Sequence, residues 1–188
     1  MFRHGRKDGE NIADDQINEL MENGIPSLNP LLSGIYVALH EGSAFSRTKQ
    51  TLNALEWYMD TSITYTLDTF LESDPRFGNE EMFAKFLTND LIKAEAKGSN
   101  WFAAFSKHNP NFITEVQKGM IDAIKDAFEQ VEEDTTILIC GHTPCIEWLA
   151  FALDKENKIS RNIQLKELTG FIFTDENGVI SVTGTIGF

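Results

Sequence analysis

Three short stretches of this chain carry residues suited to reaction chemistry. Arg3, His4 and Gly5 stand together in "MFRHGRKD"; Arg47 sits in "SAFSRTKQT"; His142 sits in "CGHTPC". A neutral imidazole is a competent nucleophile, and an adjacent glycine lets the backbone turn close to a ligand. A guanidinium offers a planar fork that matches phosphate oxygens. A second histidine at a strand end either polarises a reacting oxygen or simply bonds to backbone. Taken one at a time, each has a plain structural reading: Arg47 as a solvated first-turn residue, His142 as a strand-end histidine. The order of the three carries more than any member.

Those residues need elements to position them. Residues 34–42, "GIYVALHEG", read as a β-strand ending in glycine, and "SRTKQTLNALEWYMDT" follows as a helix with Ser43 or Ser46 as its cap. Residues 64–68 read as a short strand. Residues 79–98 and 110–133 read as helices, the second capped by Asn109 with Pro110 in its first turn. Its apolar stripe runs through Ile113, Val116, Met120, Ile121, Ile124 and Phe128. "TTILICGH" (135–142) is apolar without alternation, as in a strand buried on both faces, and 144–154 read as the helix after it. The tail reads as strands around a "DENG" turn, a hairpin. Strands alternating with helices predict an α/β fold, a three-layer α/β/α sandwich around a mostly parallel sheet. In such sheets sites lie at the carboxyl ends of the strands, where Arg47 and His142 fall.

Composition bounds the alternatives. The 188 residues fit one domain, with 41% hydrophobic and 24% charged residues. The net charge of −13 disfavours nucleic acid and anionic membranes as partners, and it makes any anion site a local cluster of basic groups. No apolar run reaches a membrane span, and the start has no signal-peptide pattern, so a cytoplasmic location is expected. Cys140 and Cys145 read as reduced thiols in or near the core. A zinc site on Cys140, His142 and Cys145 lacks a fourth ligand, so no metal is expected.

Taken in order, the motifs resemble those of the histidine phosphatase superfamily, the phosphoglycerate mutase-like proteins. "RHG" matches its signature. Ser43, Arg47, Thr48, Gln50 and Thr51 are similar to its Ser-x-x-x-Arg-Thr-x-Gln-Thr motif, and "GHTP" before an apolar helix is similar to its second histidine motif. The resemblance spans residue 3 to about residue 150. It implies a phosphatase that works without metal or cofactor. His4 would be the nucleophile and become a phosphohistidine, while Arg3, Gly5, Arg47 and His142 surround the transferring group. The resemblance also implies a carboxylic acid after the third strand to protonate the leaving oxygen. Glu72 fits best, with Asp74 as alternative and Glu80 and Glu81 further off. The expected substrate is a phosphorylated small molecule or a phosphoprotein. A phosphoglycerate mutase and a silent phosphate-binding or scaffold relative are the other readings.

Two departures from the pattern matter. Only Met1 and Phe2 precede Arg3, where the family has an apolar strand, so either the chain is truncated or this strand is much reduced, and a shortened central strand would cost stability and could misplace His4. Thr143 follows His142 where the acid-phosphatase branch has aspartate, which favours the branch with a separate carboxylate. Residues 69–108 read as a partly helical insertion in a single domain; its Trp101, Phe102 and Phe105 read first as packing residues, second as a substrate pocket. Arg6 and Lys7 are possible extensions of the anion site; His40 and His108 are given no role.

Overall fold

The computed structural model describes residues 1–5, 37–62, 71–133 and 135–187. Strand β1 is Phe2–Arg3, β2 is Val37–Gly42, and helix α1 is Ser46–Ser62. Strand β3 (Leu71–Ser73) leads through a 3-10 turn (Pro75–Phe77) to helices α2 (Glu80–Thr88), α3 (Asp90–Gly98), α4 (Trp101–His108) and α5 (Pro110–Glu129). Strand β4 (Thr136–Gly141), helix α6 (Cys145–Leu153) and strands β5 (Gly170–Glu176) and β6 (Val179–Ile186) complete the order.

Among the described residues the sheet has the order β3-β2-β4-β1-β5-β6. The expectation of a mostly parallel sheet is corrected to a mixed one. β3, β2, β4 and β1 run parallel, whereas β5 pairs antiparallel with both β1 and β6. The reason is local: β5 and β6 are joined by a tight turn at Asn177 and Gly178, both at positive φ, and a two-residue hairpin joins only antiparallel strands.

The apolar run in β4 divides its side chains between two faces, as alternation in a strand requires. Ile139 belongs to the core cluster that gathers α5, α6 and the α2–α4 region, and Ile137 packs against it. Leu138 and Cys140 are buried outside that cluster; β4 packs there against α1, whose Leu52 and Leu55 are buried. The sheet thus has helices on both faces. Asn109 caps α5 as expected, accepting from the Phe112 N–H, and Ile113, Val116, Met120 and Ile124 face the core. The helix expected over 79–98 is two helices, because Asn89 ends α2 and its side chain caps α3 by accepting from the Leu91 and Ile92 N–H groups. The strand expected over 64–68 lies outside the described residues, apart from which β3 occupies 71–73. Phe105 is buried, and Trp101 and Phe102 pack against the cluster, which is the packing role read for them. Among the described residues no helix is long and apolar enough to cross a membrane.

Candidate active site

Because β1, β2 and β4 are neighbours and parallel, their carboxyl ends meet at one edge of the sheet. His4 follows β1, Ser43 and Arg47 follow β2, and His142 follows β4, so residues scattered over 139 positions become neighbours. His4, Arg47 and His142 are all buried, exposing 4%, 5% and 1% of their surfaces. The two imidazole rings lie 4.9 Å apart, centroid to centroid.

Arg47 joins them. Its Nε–H donates to His4 Nε2 at 3.3 Å, and an NH2 hydrogen donates to His142 Nδ1 at 3.2 Å. A guanidinium has no acceptor, so both ring nitrogens present lone pairs. The tautomers follow. His4 carries its proton on Nδ1, which donates to the Gly5 carbonyl at 2.5 Å, and His142 donates from Nε2 to Ser43 Oγ at 2.5 Å. Each imidazole is neutral in this arrangement, and the Nε2 lone pair of His4 points at a cation.

The support around this cluster is also polar and buried. Ser43 Oγ shares a hydrogen bond with Thr48 Oγ1, and Thr48 Oγ1 donates to the Phe45 carbonyl. The Gly5 N–H donates to Thr51 Oγ1, which donates to the Arg47 carbonyl, tying the residue after His4 to α1. Phe45 lies under the guanidinium at 4.2 Å, and the edges of Phe45 and Phe83 frame His142 at 5.0 Å. Gly78 closes the wall: at φ 139° a side chain is strained, and a Cβ there would stand 2.7 Å from His142 Cδ2.

The expected site residues therefore separate. His4, Arg47 and His142 are brought together, so the two-residue β1 does not carry His4 away. Gly5 holds His4 Nδ1 through its carbonyl, and its N–H is occupied by Thr51. Arg3 points elsewhere: its guanidinium donates to the Leu165 carbonyl at 2.6 Å and pairs with Glu167 at 3.4 Å. Alternation along β1 accounts for this, since Arg3 and His4 must face opposite sides of the sheet.

Glu72 is described through its backbone, opposite Glu41 in β2 and one residue before the carboxyl end of β3, on the site's edge of the sheet. Asp74 is engaged as the cap of the 3-10 turn and as the ion-pair partner of Arg76, at 2.6 Å. Glu80 and Glu81 are exposed in the first turn of α2. Arg6 and Lys7 lie outside the described residues. Cys140 and Cys145 are buried free thiols whose pKa burial pushes well above the ordinary value. Among the described residues no group of three or more His, Cys, Asp or Glu side chains is placed to hold a metal ion.

The residues that sequence reasoning missed are Phe83 and the buried hydroxyl of Ser43 as a ligand of His142. Ser43 was legible only as a motif position or helix cap. Phe83 had no signal, because its approach depends on the turn at Gly78.

Two of the solved structures that resemble this chain cover 97% of it. The crystal structure of phosphoglycerate mutase from Bacillus anthracis str. Sterne superposes with a TM-score of 0.59 at 15% identity, covering 97% of this chain and 89% of that one. Bacillus stearothermophilus YhfR superposes with a TM-score of 0.56 at 15% identity, covering 97% and 93%. No protein-family model matches the sequence, and no curated protein matches it either. The likeness is one of fold.

Proposed function

We propose that this chain, with its phosphoglycerate mutase-like fold, is a metal-independent phosphomonoester hydrolase working through a phosphohistidine on His4. The observation that carries the reading is the single guanidinium of Arg47 donating to His4 Nε2 and His142 Nδ1. A nucleophilic lone pair, a fixed cation and a second imidazole are thus within one phosphoryl group's reach.

In this reading the His4 Nε2 lone pair attacks phosphorus in line. The N–P bond forms as the bond to the leaving oxygen breaks. Arg47 replaces its bonds to the imidazoles with bonds to the equatorial phosphoryl oxygens, and His142 supplies a further contact. Positioning and charge stabilisation are most of what such a transfer requires. Glu72, as the acid, gives its proton to the leaving oxygen. It then takes a proton from the water that attacks phosphorus and breaks the N–P bond, which restores His4 and releases phosphate. The Gly5 carbonyl holds the Nδ1 proton throughout and so keeps the lone pair on Nε2. Burial of the cluster excludes bulk water and strengthens these interactions. The substrate is a phosphorylated small molecule or a phosphoprotein.

The test is hydrolysis of an aryl phosphate in EDTA by wild type and His4→Ala. The expected outcome is EDTA-resistant turnover lost by at least about a thousandfold in the variant, as for removal of a covalent nucleophile. One of the similar structures is a phosphoglycerate mutase, so phosphoglycerates belong in the same assay. Phosphoryl transfer between them without net phosphate release would replace hydrolase by mutase. Phosphate binding by folded protein without either reaction would mark a silent phosphate-binding relative.

A further inference from the structure

On the α6 side of the sheet a cavity of about 250 Å³ takes no part in the chemistry above. Arg3, Glu147 and Trp148 line it. Each keeps one polar atom buried with no hydrogen-bond partner among the described residues: Arg3 Nε, Glu147 Oε2 and Trp148 Nε1. Glu147 and Trp148 are only 3% and 0% exposed. Buried polar atoms are nearly always paired, so three around one cavity call for a partner.

The other bonds of these groups fix what the three atoms offer. Glu147 Oε1 accepts from the Leu165 N–H at 3.0 Å, which leaves Oε2 as an acceptor. Arg3 commits NH1 to the Leu165 carbonyl and NH2 to Glu167, which leaves the Nε–H as a donor. An indole nitrogen only donates. Two donors and one acceptor are complemented by a ligand with two acceptors and one donor.

The remaining walls are flat and apolar. Phe102 and Phe151 meet edge to face at 5.0 Å, and Arg161 lies over both rings, at 5.7 and 4.6 Å. Pro144 and Ile163 also line the space. Such walls take a planar ring and would leave most hydroxyls of a polyol unmet. An anion would lie against the Glu147 carboxylate, and a cation against Arg3 and Arg161, so the occupant is neutral. A cavity of about 150 Å³ holds benzene, so this one has room for a single six-membered ring with its substituents.

We propose that this cavity is a binding site for a neutral six-membered cyclic imide of the uracil type. The two ring carbonyls accept from Arg3 Nε and Trp148 Nε1, the N–H between them donates to Glu147 Oε2, and the ring lies along the phenyl walls. The site is separate from the His4, Arg47 and His142 cluster, because Arg3 and His4 face opposite sides of the sheet.

The probe is uracil, titrated into the full chain by calorimetry at pH 8. That pH lies above the value of about 7 to which burial pushes the Glu147 carboxyl, so Oε2 is an ionised acceptor there. Saturable binding is expected with a Kd of about 1 mM or below, together with a shift of the Trp148 indole N–H resonance, assigned through Trp148→Phe. Uracil methylated on the nitrogen between the carbonyls should bind at least about tenfold more weakly, since it leaves Oε2 unmet. Glu147→Gln should weaken uracil by a similar factor: the glutamine gives its carbonyl oxygen to the Leu165 N–H and turns an N–H toward the imide N–H. Trp148→Phe keeps the aromatic packing and should cost up to about tenfold through the lost donor. Melting curves check that both variants fold. Absence of saturation by folded wild type at about 10 mM uracil would overturn the proposal. So would equal affinity for the methylated ring, unchanged affinity in folded Glu147→Gln, or displacement of uracil by inorganic phosphate, which would put it in the His4 cluster.

Discussion

Two polar clusters lie back to back across β1 and the β4–α6 junction, built from nearly the same stretches of sequence. One holds His4, Arg47 and His142. The other holds Arg3, Glu147 and Trp148, which line a cavity of about 250 Å³ on the α6 face of the sheet. In the first, each named ring nitrogen has a hydrogen-bond partner. In the second, Arg3 Nε, Glu147 Oε2 and Trp148 Nε1 are buried with no partner among the described residues. A satisfied buried network fixes one geometry, whereas a partly satisfied one leaves its groups desolvated at a cost. The difference teaches that adjacency in a motif does not make residues one site. Arg3 and His4 are consecutive and serve opposite faces.

The largest effect that separates the clusters is expected at Arg47. Arg47→Ala removes the cation that faces both imidazoles, and kcat/KM for an aryl phosphate should fall by about 10²–10³ or more. Arg47→Lys should recover little, because an ammonium on a flexible stem does not reproduce the fork that meets both rings. Melting curves on both variants check that the loss is chemical and not unfolding. An Arg47→Lys variant close to wild type would mean that charge alone suffices and that the bridging geometry is incidental.

What was legible in the sequence follows the same division. Strand and helix periods placed β2, α1, β4, α5 and α6 well, because each carries an apolar pattern long enough to read. The break at Asn89 was missed because the apolar spacing of α2 and α3 continues across it, and only the cap chemistry of one asparagine interrupts the chain. The mixed sheet was half visible: the "DENG" turn announced an antiparallel hairpin, but nothing local says that β5 also joins β1. At the site, residue order within the motifs pointed to His4, Arg47 and His142. The direction of Arg3 depends on strand alternation, and the partners of Ser43 depend on the β2–β4 register, neither of which is written in the motif itself.

A medium effect is expected at Glu147. This side chain is 3% exposed, Oε1 accepts from the Leu165 N–H at 3.0 Å, and burial pushes its carboxyl up to about 7, opposed by that hydrogen bond and by the charge of Arg3. A raised carboxyl binds its proton more tightly folded than unfolded. Its contribution to stability is full below the unfolded value near 4.5 and is lost as pH rises through about 7. Glu147→Gln mimics the protonated form at every pH. It should lie within about 1 kcal/mol of wild type at pH 5 and exceed it by more at pH 8, by roughly 3 kcal/mol at most. The buried Met1 amino group, lowered to about 5 by desolvation, works in the opposite sense between about 5 and 8, and it cancels in the comparison. Urea midpoints at the two pH values give the answer. An equal difference at both would mean that Glu147 ionises like an exposed carboxylate and that the α6 cluster is solvated.

The smallest effect is the sharpest on the comparison. Arg3 stands beside His4 in sequence, yet its guanidinium is held by the Leu165 carbonyl and by a half-exposed Glu167. If the two clusters act separately, Arg3→Gln should lower kcat/KM by less than about tenfold, little more than one kcal/mol. Its stability cost should be of similar size, since a partly exposed ion pair contributes at most about 1 kcal/mol. A loss as deep as that of Arg47→Ala would mean that Arg3 exchanges Leu165 for the reacting phosphoryl group when substrate binds. The double variant then decides between the two. Independent clusters give losses that add in free energy, whereas two arginines on one phosphoryl group give a double loss smaller than the sum.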